Sequence, residues 1–270
     1  MKRMKLLQLV SALVLIFGIG SGVHAADRVA LYQGSLELLP AGVDSDGSHL
    51  YGLRFSLGKK WYTYWTNPAG SGVPPMFDHG ASENVAGVEY LWPVPEYYST
   101  PYATSIVYHE QLLLPIRVMP VDQALPVALS LNATFGVCSD VCIPEQATLK
   151  AASDQQTFQP LLRRELAAVI AEVPARHSDT LAVTSVVASK QDGSPVLRVR
   201  TVDRSGTEQL TLFADAGAAL PLGRAKIVSR RGDDVEFVVF AGAEGQTGTP
   251  VKLLLVNAAE ALEMTLEISQ

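Results

Sequence analysis

The chain has 270 residues, 48% of them hydrophobic, a formal charge of −6 and two cysteines. That apolar share supports a real core, and the length allows one large domain or two small ones. No run of Lys or Arg marks a surface for nucleic acid or anionic lipid, so nucleic acid is set aside as a partner.

The chain opens with the basic segment Met1-Lys-Arg-Met-Lys5, followed by an apolar stretch from Leu6 to about Ile19 and then Gly20-Ser-Gly-Val-His-Ala25. This is the pattern of an export signal cut between Ala25 and Ala26, which assigns residues 1–25 to a signal peptide and the rest to the periplasm. No later window holds the roughly 20 uninterrupted apolar residues of a spanning helix, so no membrane span is expected in the mature chain.

Residues 26–155 read as a β-sandwich. β-formers fill 29–39, 49–57, 61–65, 85–92, 105–108, 111–118, 127–135 and 146–151, several with clear alternation. Clusters such as Asn67-Pro-Ala-Gly-Ser-Gly-Val-Pro-Pro75 punctuate them at short intervals. That is the signature of antiparallel sheets rather than βαβ units. Residues 156–174 read as a connecting helix, because Phe158, Leu161, Leu162, Leu166, Val169, Ile170 and Val173 fall at helical spacing before Pro174. About seven further strands between 181 and 268 make residues 175–270 a second sandwich, structural or partner-contacting in role. The fold class expected is all-β, two immunoglobulin-like sandwiches joined by a short helix.

Both cysteines lie in Phe135-Gly-Val-Cys-Ser-Asp-Val-Cys-Ile-Pro144. Four residues of extended strand would separate their Cα atoms by about 13 Å, whereas a disulfide needs them within about 7 Å. Ser139-Asp140-Val141 must therefore turn if Cys138 and Cys142 are to bridge. The reading places 134–137 on one strand, the cysteines at a corner, and Gln146 onward on the returning strand, with Pro144 at a strand edge or bulge. A bridge over so small a loop removes chain entropy worth only about 2 kcal/mol, so it is a poor staple. Asp140 and Glu145 nearby disfavour a thiolate, and no Lys, Arg or His is close in sequence to favour one.

Three readings stay open at this point: a dithiol that shuttles electrons, an inert local staple, and a Cu(I) site in which His109, His79 or Met119 completes the two thiolates. A structural zinc site is disfavoured for want of a second cysteine pair. No cofactor is called for. Of the aromatics, Trp61, Tyr62, Tyr64 and Trp65 read as core and sheet surface ahead of a groove. Tyr97, Tyr98 and Tyr102, interleaved with Pro95 and Pro101, form a loop that is a candidate for shielding the thiols.

Four motifs occur in a recognisable order: Trp61-Tyr-Thr-Tyr-Trp-Thr-Asn-Pro-Ala-Gly-Ser-Gly-Val-Pro-Pro75, Leu91-Trp-Pro-Val-Pro95, Leu112-Leu-Leu-Pro-Ile-Arg-Val118 and Gly136-Val-Cys-Ser-Asp-Val-Cys-Ile-Pro-Glu145. Together they resemble the periplasmic N-terminal domain family of the thiol:disulfide interchange protein DsbD, in its suppressor-of-copper-sensitivity B form. The resemblance covers roughly residues 27–150 and is loose in the C-terminal half. It implies an immunoglobulin-like domain in which Cys138 and Cys142 are the redox pair; no metal ligand is assigned. It also implies the partners: electrons arrive from a membrane-embedded reductase of the DsbD or CcdA kind and leave to periplasmic thioredoxin-fold proteins. The acceptor is left open among a disulfide isomerase, a cytochrome c maturation thioredoxin and a copper-resistance protein. Whole family members carry a membrane core and a thioredoxin-like tail, neither read within these residues, so the resemblance implies that the reductase is a separate protein. The family's aromatic cap has no residue matched to it here, and its cysteine gap of five is three in this chain.

Overall fold

The computed structural model describes residues 27–70 and 72–269, so the signal segment 1–25 lies outside the described residues. Eleven strands precede the helix: β1 (Asp27–Leu31), β2 (Gly34–Val43), β3 (His49–Leu57), β4 (Tyr62–Tyr64), β5 (Met76–Asp78), β6 (Val85–Tyr90), β7 (Glu96–Ser99), β8 (Thr104–His109), β9 (Gln111–Pro120), β10 (Val127–Cys138) and β11 (Cys142–Ser153). Helix α1 spans Pro160–Ala171. Seven strands follow: β12 (Leu181–Gln191), β13 (Ser194–Asp203), β14 (Leu210–Asp215), β15 (Leu222–Arg231), β16 (Asp234–Ala241), β17 (Pro250–Asn257) and β18 (Ala261–Glu267).

The first sandwich packs a sheet of order β1-β2-β3-β9-β6 on one of order β11-β10-β4-β8-β7, with β5 added to β10. Period-two alternation decides which side chains meet between them. On β10 the odd-numbered residues Leu129, Leu131, Ala133, Phe135 and Val137 enter the core beside Leu53, Phe55, Leu114 and Ile116. The even-numbered set, ending in Gly136 and Cys138, faces outward. The second sandwich packs β12-β13-β16-β15 against β14-β17-β18 around its own core, which includes Val199, Phe237, Leu253 and Leu255.

The helix packs on the outer face of the first sheet, where Leu166 is fully buried with Ala41 and Leu50. Gly52 leaves room for it, since a Cβ there would come within 3.2 Å of the Leu166 side chain. The apolar run Leu253-Leu-Leu-Val256 is explained by burial on both faces of β17. Leu253 and Leu255 serve the second core, while Leu254, with Phe213 of β14, joins the first.

Two local expectations are corrected. The run 29–39 is two strands, because the chain turns at Tyr32-Gln33 into Gly34, whose φ is 129°. A Cβ there would overlap the Ser56 carbonyl, so glycine is required. The strand returning after the cysteines begins at Cys142 rather than Gln146, and Pro144 sits on it opposite Gly136. Because β11 is the sheet's edge, the missing N–H of Pro144 costs no ladder bond.

Candidate redox site

β10 and β11 form a hairpin whose last paired residues are Cys138 and Cys142. Ser139, Asp140 and Val141 make the turn, closed by the Ser139 N–H donating to the Val141 carbonyl at 2.9 Å. The two sulfurs are joined in a disulfide with the Cα atoms 4.1 Å apart. The burial of the two residues differs sharply. Cys138 has no exposed surface, whereas Cys142 is exposed.

Cys138 is buried although it faces away from the sandwich core. Strand register places Cys138 opposite Tyr62, and Tyr62 opposite His109. These residues therefore share one row on the outer face of the sheet, and Tyr64 and Val107 form the next row. Tyr62, Tyr64, Val107 and Cys138 close into a small apolar cluster of their own. Tyr62 meets Tyr64 edge-on at 5.6 Å between ring centroids. Gly136 admits the Tyr64 ring, because a Cβ there would lie 3.1 Å from both that ring and the Val73 side chain. Thr63 points the other way and fixes the strand by donating to the Gly136 carbonyl at 2.9 Å.

The Tyr64 hydroxyl lies 3.0 Å from Cys142 Sγ. Burial pushes both the Tyr62 and the Tyr64 phenol above the ordinary tyrosine range, so both stay protonated at neutral pH and Tyr64 is available as a donor to sulfur. Beyond Tyr62, His109 Nδ1 pairs with Glu96 Oε1 at 2.5 Å. Tyr98 packs against both Tyr62 (5.3 Å) and His109 (4.8 Å). An open cavity of about 590 Å³ lies over this face. Its walls include Tyr62, Tyr64, Tyr98, Tyr102 and the turn from Ser139 to Cys142; Cys138 does not line it.

The structure thus brings the two cysteines together at one end of a sandwich. The shielding candidates divide: Tyr98 and Tyr102 border the site, while Tyr97 points into the molecule against Phe213. Tyr62 and Tyr64 face the disulfide, and Trp61 and Trp65 face the core. Of the carboxylates adjacent in sequence, Asp140 lines the cavity, but Glu145 is turned away and accepts from the Tyr32 N–H at 2.7 Å. Sequence proximity missed Glu96 and the placement of His109, which strand order alone brings to the site. Of the residues weighed for copper, His109 lies in the row of Cys138, beyond Tyr62 and paired with Glu96, and the other two lie elsewhere. Met119 lies in the opposite sheet beside Gly87, and His79 follows β5. Among the described residues no group of three or more His, Cys, Asp or Glu side chains gathers.

Residues 36–154 match the family model for the N-terminal part of the thiol:disulfide interchange protein DsbD. Among solved structures, the crystal structure of the N-terminal periplasmic domain of ScsB from Proteus mirabilis shares the fold at a TM-score of 0.71 and 19% identity, covering 90% of this chain and 97% of that one. Titin Ig tandem domains A164-A165 align over 91% of this chain and 97% of that one at 9% identity and a TM-score of 0.20. No curated protein matches the chain.

Proposed function

Because residues 36–154 carry the DsbD N-terminal family match, we propose that this protein is a periplasmic thiol–disulfide exchange protein working through Cys138 and Cys142. The division into an exchange sandwich (26–155), a connecting helix (156–174) and a second sandwich (175–270) is part of the same proposal. The observation that supports it most is the asymmetry of the pair. Cys142 lines an open cavity and touches the Tyr64 hydroxyl, while Cys138 is sealed beneath tyrosines.

Exchange proceeds by thiolate attack through a mixed disulfide. A thiolate of an electron-donating partner attacks Cys142 Sγ, and the new intermolecular S–S bond forms as the Cys138–Cys142 bond breaks. Cys138 leaves as a thiolate and takes up a proton. The donor's second thiolate then attacks its own half of the mixed disulfide and releases Cys142 as a thiolate, which takes up the second proton. Two electrons and two protons have entered the pair. Delivery is the reverse: the Cys142 thiolate attacks an acceptor's disulfide, and Cys138 resolves the intermediate. The Tyr64 hydroxyl is placed to donate to the Cys142 sulfur whenever it carries charge, a charge-assisted bond of the stronger kind. A membrane-embedded reductase of the DsbD or CcdA kind is the proposed donor, and periplasmic thioredoxin-fold proteins are the proposed acceptors. Among the described residues no helix is long and apolar enough to cross a membrane.

The test is trapping in cells. With Cys138→Ser, mixed disulfides accumulate on Cys142 and mass spectrometry identifies thioredoxin-fold or membrane reductase partners. With Cys142→Ser, adducts on Cys138 are scarce. Equal trapping by both variants, or none by either, contradicts the assignment.

A further inference from the structure

Strand β7 is an edge of the sheet that bears the disulfide, and its side chains alternate between two destinations. Glu96 and Tyr98 face the cysteine side, where they meet His109 and Tyr62. Tyr97, between them, crosses into the second sandwich. Its hydroxyl donates to the Leu212 carbonyl at 2.8 Å and accepts from the Ala225 N–H at 3.2 Å. Its ring stacks on Phe213 at 4.6 Å, and the Arg224 guanidinium lies 4.9 Å from the ring centroid on the other flank. Burial pushes the phenol up to about 12, against the opposing influence of the Ala225 N–H and Arg224. Arg224 also reaches Ser99 Oγ at 3.4 Å. One hairpin, β7 with β8, is thus bound on one face to strands β14 and β15 and presents its other face to the redox site.

We propose that Tyr97 is a positioning residue through which the second sandwich fixes the hairpin walling the Cys142 cavity. The hairpin tip, residues 99–103, lines the cavity that Cys142 also borders. A short edge strand held only by its pairing with β8 would open readily, since local stability follows the number of buried contacts. Tyr97 supplies such contacts from outside the first sandwich. The second sandwich thereby acquires a role in the exchange chemistry without contributing a residue to the cavity wall: it holds the wall at a set distance from the sulfur.

This inference takes its meaning from the exchange reading above, but its test does not depend on it. Three variants of the full chain are compared by amide hydrogen exchange and by the rate at which dithiothreitol reduces the Cys138–Cys142 disulfide. Tyr97→Phe keeps the ring and removes both hydrogen bonds, and Tyr97→Ala removes the ring as well. Asn67→Ala is the control. Its side chain donates to the Ala214 and Leu222 carbonyls of the same two strands at 2.7 and 2.9 Å. Both Tyr97 variants speed amide exchange within residues 96–109 and raise the reduction rate by about fivefold or more, the factor carried by roughly one net hydrogen bond. Asn67→Ala leaves both readings near the wild-type values. Wild-type behaviour in the Tyr97 variants overturns the inference, as does faster amide exchange without faster reduction. An equal response from Asn67→Ala also overturns it, because general loosening would then suffice. A failure to trap protein partners on Cys142 leaves these measurements intact, so the two proposals fail separately.

Discussion

At the scale of the residue, the chemistry turns on which atoms neighbour the two sulfurs. The Tyr64 hydroxyl lies against Cys142 Sγ. Tyr64→Phe keeps the ring that fills the space beside Gly136 and deletes the hydroxyl that meets Cys142 Sγ and the Tyr62 phenol. Hydrogen bonds to charged groups contribute about 1.5–3 kcal/mol, so the variant should exchange at least about tenfold more slowly. Stopped-flow mixing with a disulfide partner or with oxidised glutathione checks this, and an unchanged rate would show that Tyr64 only packs. A second residue governs stability rather than chemistry. His49 is fully buried, and neither ring nitrogen has a partner. Burial holds its imidazole below the ordinary histidine range, with the Asp154 carboxylate opposing. Folded His49 therefore resists a proton that the unfolded chain accepts. Stability is complete above the ordinary value of 6.5 and falls as pH drops from there toward the lower folded-state value. Urea midpoints between pH 8 and 5 should decline for the wild type and flatten for His49→Phe; equal slopes would remove the histidine from the explanation.

At the scale of the element, legibility followed the range of the interaction. Strands written in local alternation, such as β3, β9 and β10, are readable because each must present one face to a core. The β10–β11 turn is readable too, since two cysteines four apart can bridge only if the chain reverses between them. The break between β1 and β2 is hidden because Tyr32-Gln33-Gly34 carries one glycine in an otherwise strand-like run. The surroundings of the disulfide are hidden for a deeper reason. Cys138, Tyr62, His109 and Glu96 sit on four strands whose order in the sheet, β10-β4-β8-β7, departs from their order in the chain. No spacing rule reports a lateral neighbour across such a crossover. Alternation does foretell that Tyr62 and Tyr64 share a face opposite Trp61 and Trp65. It does not say that the cysteines lie on the tyrosine face.

At the scale of the molecule, two sandwiches share more than a linker. Strands β14 and β17 are buried on both sides, and their Phe213 and Leu254 complete the first core. Asn67 and Tyr97 add four hydrogen bonds across the same joint. The resulting body holds a three-residue turn bearing two sulfurs at one end, with the exposed cysteine beside a cavity and the buried one beneath an aromatic layer. The proposed exchange role requires that the bond open and close under ordinary cellular conditions. Equilibration of the purified protein with glutathione buffers of stepped ratio, followed by thiol trapping, measures this directly. The expected midpoint lies clearly above about −300 mV, the level below which structural disulfides resist the glutathione pool. A Cys138–Cys142 bond that stays closed across the whole range, with a midpoint below that level, would make it a staple and contradict the account.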